Sequence, residues 1–263
     1  MLKKLLKYDL KNIFKFLIIF YTLALLFGIS ARIFLNIENS LVLNIIGQVF
    51  SGAAISMMFS ILINNLMRMW VKLRQNFYGD EAYLTHTLPI KKNKLYLSKI
   101  ITAAISTFVS MAVIVATLFV AYYSAGNLEF VKSLLLPLGD AFKMNTVVLL
   151  LIFAFILFLE FLNILQCGFT GIILGHRMNN CKIGFSVLFG FVAFGISQLF
   201  VLSVIFVTAL FNSDIMNLFI TNELVDMAVI KTVIILAALL YTVISLAICF
   251  INIKLFEKGV NVD

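Results

Sequence analysis

The chain has 263 residues, of which only 12% are charged, and a mean hydropathy of +1.10, whereas a soluble domain carries roughly a quarter charged residues. That composition excludes a water-soluble fold and points to an all-α integral membrane protein forming a single membrane domain over residues 1–263. The net charge of +8 does not indicate a nucleic-acid partner, because the basic residues sit between apolar runs, where lipid headgroups lie.

In residues 1–15, Leu2, Leu5, Leu6, Leu10 and Ile13 recur at helical spacing, while Lys3, Lys7, Lys11 and Lys15 step by four along the other side. The pattern predicts an amphipathic interfacial helix lying flat on the inner leaflet, with lysines at anionic headgroups and leucines at the acyl boundary. No small-x-small cleavage pattern accompanies it, so it does not read as a signal peptide.

About 20 apolar residues cross a bilayer as a helix. Six stretches qualify: Phe16–Leu35, Leu43–Met67, Ile100–Tyr122, Val147–Leu174, Ile183–Phe211 and Thr232–Ile253. Both prolines, Pro89 and Pro137, fall in connections, which leaves the spans free of the residue that most disrupts a helix ladder. Alternate connections carry sixteen of the twenty basic residues, and only Arg32, Lys132, Lys143 and Lys231 lie on the opposite side. By the positive-inside rule both termini are cytoplasmic. The outer connections Ser124–Thr146 and Asn212–Lys231 are of mixed character; the second is too apolar for a free loop and too short to span, so it is expected to dip into the leaflet or cap the bundle.

Catalytic signatures are lacking. There is no phosphate-binding loop, no H-E-x-x-H and no G-x-S-x-G, so no enzyme activity is expected of this chain. Cys167, Cys181 and Cys249 have no metal-ligand spacing and are expected as free thiols; His86 and His176 are far apart with no ligand cluster around both, and no metal or cofactor is expected.

The connection after the second span is the most polar block of the chain: "GDEAYLTHTLPIKKNK", residues Gly79 to Lys94. Asp80 can accept from the first N–H groups of a short helix and Glu81 suits its positive end. Tyr83, Leu84 and Leu88 share a face of that helix, and Pro89 ends it. A new helix starts in "KKNKLYLSKI" and runs into the third span.

With its acidic start, "YLT-x-TLP" core, basic run and final "SK" before a long apolar helix, the block resembles the cytoplasmic connection of bacterial type-2 ABC exporter permeases. The likeness extends over most of the chain, from the basic amphipathic start to the short fourth connection "GHRMNNCK" and the tail "KLFEKGVNVD". The resemblance implies a multi-pass permease of the bacterial cytoplasmic membrane that forms a homodimer or heterodimer, within membrane lipids, and exports a substrate using a separate ABC ATPase subunit. ATP and Mg would act only through that partner. It also implies that residues 77–98 form the coupling segment, with Asp80, Glu81, Tyr83, Leu84, Leu88 and Pro89 docking on the ATPase.

Glu160 is the one carboxylate deep in a span, with Asn163 and Cys167 on its helical face. A charge at that depth costs ~3 kcal/mol or more, so the group should face a cavity or a partner, or stay neutral. Glu160 and Asn163 are therefore a candidate substrate path. An alternative is a secondary transporter or channel that uses Glu160 without an ATPase; another is a membrane immunity or anchor protein that binds a peptide. Gly52, Ser56 and Ser60 recur by four in the second span and Gly171 and Gly175 form G-x-x-x-G in the fourth, marking close helix approach within one chain or at a dimer seam.

Overall fold

Apolar runs free of proline have one low-energy solution in hydrocarbon, the α-helix, since only there does every backbone group find a partner within its own segment. The computed structural model describes residues 2–37, 40–87, 89–123, 125–220 and 227–258. Its helices are α1 (Leu2–Leu35), α2 (Leu41–Phe77), α3 (Ala82–Thr87), α4 (Lys92–Tyr122), α5 (Ala125–Ala141), α6 (Thr146–Gly175), α7 (Lys182–Phe211), α8 (Ser213–Ile220) and α9 (Met227–Glu257). Six of them, α1, α2, α4, α6, α7 and α9, are long and apolar enough to cross a membrane. This is a multi-pass membrane protein.

The chain divides into two compact units, Met1–Val131 and Lys132–Asp263. In the first, α1, α2 and α4 pack on one another. The buried face of α4 is built of small and hydroxyl residues, among them Ala103, Ser106, Ser110 and Thr117, which lets helix backbones approach closely where lipid offers no hydrophobic drive. Asn65 of α2, 2% exposed, ties the three helices. Its Nδ2 donates to Ser110 Oγ at 3.2 Å, its Oδ1 accepts from Ser106 Oγ at 3.0 Å, and Ser110 Oγ in turn lies 2.8 Å from the Tyr21 hydroxyl of α1.

One expectation fails here. The amphipathic start is not a separate surface helix: residues 2–15 are the first turns of α1, which continues without a break to Leu35. No glycine or proline falls near the expected boundary, so nothing there interrupts the hydrogen-bond ladder, and the two stretches form one continuous helix. At 1.5 Å per residue the 34-residue helix is about 51 Å long, and the 37 residues of α2 about 55 Å, against a hydrocarbon core of ~30 Å. Both are longer than that core is thick.

In the second unit, α6 packs on α7 and α9. The Gly171 and Gly175 pair is a crossing within this chain: a Cβ on Gly171 would lie 2.5 Å from Gly190 N, and one on Gly175 2.5 Å from Ser186 Cα. By contrast a Cβ on Gly52 would meet nothing within 4 Å. Asn145 caps α6, its side chain accepting from Val147 N at 2.9 Å.

The connections after α4 and α7 contain more helix than their composition suggests. Most of the stretch after α4 is α5, with Pro137 inside it, so that proline is helical although it stays out of the six long helices. The apolar segment after Phe211 begins with α8, which packs on α7 and α9 with Ile215 buried; residues 221–226 lie outside the described residues.

Candidate functional site

α2 ends at Phe77, where Tyr78 N and Gly79 N both bond Arg74 O, at 2.9 and 3.1 Å. The chain turns at once into α3: Ala82 N bonds Gly79 O at 2.8 Å and Thr85 N bonds Glu81 O at 3.1 Å. Glu81, rather than Asp80, thus holds the position before the first helical residue. Asp80 is exposed, and the expectation that it caps α3 gives way to this register. α3 ends at Thr87; Leu88 lies outside the described residues, and exposed Pro89 follows in a bend.

Two sets of contacts hold the short helix against the end of the first unit. On its inner side Ala82 is fully buried, as is Phe77, and His86 Nε2 lies 3.1 Å from Phe77 O. On its flank Glu81 Oε1 accepts from Lys72 Nζ at 3.1 Å. With its amide nitrogen turned toward acceptors, Asn76 donates to Glu81 Oε2 at 2.9 Å and accepts from Lys99 Nζ at 2.9 Å. Lys99, whose side chain is 8% exposed, also donates to Asp9 Oδ1 at 2.6 Å, and Ser98 Oγ donates to Asp9 Oδ2 at 2.8 Å. The base of α3 is therefore bonded, through α2 and α4, to the first turns of α1.

Energetically the two ion pairs differ. Half-exposed Glu81 gains only ~0–1 kcal/mol from Lys72, whereas removing one partner of a buried pair such as Asp9 and Lys99 costs about 3–5 kcal/mol. The deep end of the network supplies the rigidity. The outer face of α3 is open: Tyr83 is 81% and Leu84 75% exposed. An aromatic and a leucine thus stand side by side on the open face of a braced helix, outside the six long apolar helices.

The sequence reading found Tyr83, Leu84 and Glu81 but missed Asp9, Asn76 and the bonding role of Lys72 and Lys99. One signal was available: Asp9 is the lone carboxylate among five lysines in residues 1–15.

In the second unit Glu160 is bonded rather than isolated. Gln198 Nε2 of α7 donates to Glu160 Oε1 at 2.8 Å, and the Tyr241 hydroxyl of α9 donates to Gln198 Oε1 at 2.7 Å. Three helices meet in that chain. Glu160 Oε2 is buried, and the Tyr241 hydroxyl lies beside the same carboxyl. Asn163 is fully buried, donating to Ser197 Oγ at 3.0 Å and accepting from the Cys167 thiol at 3.6 Å. A turn further on, Gln166 Nε2 donates to Ser245 Oγ of α9 at 2.8 Å. Along α6 the polar side chains are thus used to fasten α7 and α9.

Compared with protein-family models, curated proteins and solved structures, the chain finds no match in any of the three. The geometry of the two units has to carry the functional reading.

Proposed function

We propose that the chain is the transmembrane permease subunit of an ATP-binding-cassette exporter of the bacterial cytoplasmic membrane, working as a dimer with a separate ATPase. In this reading α3 is the coupling helix, both termini are cytoplasmic, and the ATPase receives Tyr83 and Leu84. The observation that carries it is the pairing of an exposed adhesive face with a braced base: Tyr83 and Leu84 are open, while Glu81 is joined through Asn76 and Lys99 to Asp9. An ordinary solvated loop needs neither. A helix that must pass on motion as a rigid element needs both.

ATP and Mg belong to the partner in this scheme, since the chain has no phosphate-binding loop. The test is co-purification with a phosphate-loop ATPase encoded beside this reading frame. Wild-type protein should retain the ATPase, and Tyr83→Asp with Leu84→Asp should lose it while inserting normally. Retention by the double variant would overturn the docking assignment.

A second reading is favoured by one observation, a buried carboxyl oxygen of Glu160 where α6, α7 and α9 meet. A carboxylate set among three helices suits transport of a cation or proton without a motor. Transport that persists with no ATPase present and disappears in Glu160→Gln would select it.

A further inference from the structure

An open cavity of about 170 Å³ lies between α1 and α2 in the first unit, lined by Phe16, Asn64, Met67, Arg68 and Val71. Arg68 is its charged wall. The guanidinium carbon stands 5.0 Å from the centre of the Phe16 ring, and Nη2 reaches Asn12 Oδ1 at 3.4 Å. Neither contact neutralises it. Among the described residues the ion pairs are Lys72 with Glu81 and Lys99 with Asp9. The lysine one turn further along α2 thus has a carboxylate, whereas Arg68 has none. Its Nε is also shielded from solvent with no acceptor, so a fork of five donors is largely unused.

Apart from Asn64, whose Nδ2 is engaged with Ser60 O at 2.9 Å, the remaining wall is apolar. Met67 and Val71 are 54% and 44% exposed, and Ile63 and Ile19, one turn further into the spans, are also exposed. Water would suit the guanidinium but not these side chains; hydrocarbon would suit the side chains but leave a cation unpaired at the lipid boundary. An amphiphile with an anionic head satisfies both demands. Lys11 and Lys15, exposed on the turns of α1 that flank Asn12, add positive potential that selects net negative lipid over zwitterionic lipid.

We propose that this cavity binds one anionic phospholipid, its phosphodiester paired with Arg68 and an acyl chain lying along Met67 and Ile63. Arginine suits that role because its planar fork matches two phosphate oxygens at once.

The test is native mass spectrometry of the full-length protein released from detergent with added phosphatidylglycerol or phosphatidylcholine. Wild type should hold one phosphatidylglycerol at collision energies that strip phosphatidylcholine. Arg68→Ala should lose that retention, while Arg74→Ala, which removes an exposed cation of α2 outside the cavity, should keep it. Should Arg68→Ala not fold, Val71→Trp fills the cavity from a partly exposed position without changing charge, and it should lose the lipid too. Equal retention by wild type and the cavity variants, or equal loss in Arg74→Ala, would overturn the proposal. Displacement of the lipid by soluble glycerol phosphate would overturn it as well, reducing the site to one for free phosphate.

Discussion

Lys99 of α4 and Asp9 of α1, ninety positions apart in the chain, meet at 2.6 Å beneath the short helix α3. Each is the other's charge partner, and both are largely shielded. Asp9→Leu leaves Lys99 uncompensated and should destabilise the first unit by about 3–5 kcal/mol. Joining it with Lys99→Met removes both charges and should restore most of the loss. Thermal unfolding of the two single variants and the double variant in detergent measures this coupling.

Tyr83 and Leu84 lead to the opposite expectation for stability. At 81% and 75% exposed, they contribute little to the fold, and their replacement by aspartate should shift stability by no more than about 0.5 kcal/mol. Midpoints of unfolding should match wild type, so that any loss of the ATPase partner reports docking alone.

The glycines separate by their surroundings. Gly175→Ala places a Cβ 2.5 Å from Ser186 Cα, and main-chain atoms of α7 cannot swing aside as a side-chain tip can, so a loss of about 1–3 kcal/mol is expected. Gly52→Ala meets nothing within 4 Å and should gain up to ~1 kcal/mol from helix propensity. Opposite signs of the change in unfolding midpoint are the readout.

Gln198 of α7 joins Glu160 of α6 to Tyr241 of α9. Gln198→Leu removes the donor to Glu160 and the acceptor of the Tyr241 hydroxyl. Hydrogen bonds between membrane helices average ~0.6 kcal/mol with a maximum near ~1.7, so losing both should cost about 1–3 kcal/mol. Unfolding of this variant beside wild type in a bilayer-mimetic detergent measures the loss.

Much of the architecture was legible in the residues. Six apolar runs mark six long helices because a backbone in hydrocarbon must bond within itself, and the turn residues around Pro89 mark a short helix between α2 and α4. Less legible was the start of the chain. Its lysine spacing describes an amphipathic helix correctly but carries no information about where that helix ends, and α1 runs on unbroken to Leu35. The sequence offers Asp80 as an acceptor for the first N–H groups of the short helix, yet the turn closed by Ala82 N on Gly79 O puts Glu81 next to its first residue instead. Glu160 and Asn163 read alike in sequence, as polar groups on one face. In the fold Asn163 is sealed against Ser197 while Glu160 joins Gln198 at the meeting of three helices.

Composition and periodicity by themselves determined that the chain lives in a membrane, how many long helices it has and which block stands apart from them. These are local consequences of transfer free energy, set within about 20 residues at a time. Only the tertiary structure decided which polar groups meet: Asp9 with Lys99, Asn76 with Glu81, Gln198 with Glu160. Those pairings depend on the register and rotation of whole helices, which packing of small residues such as Ser106, Gly171 and Gly175 determines, and no local pattern encodes them.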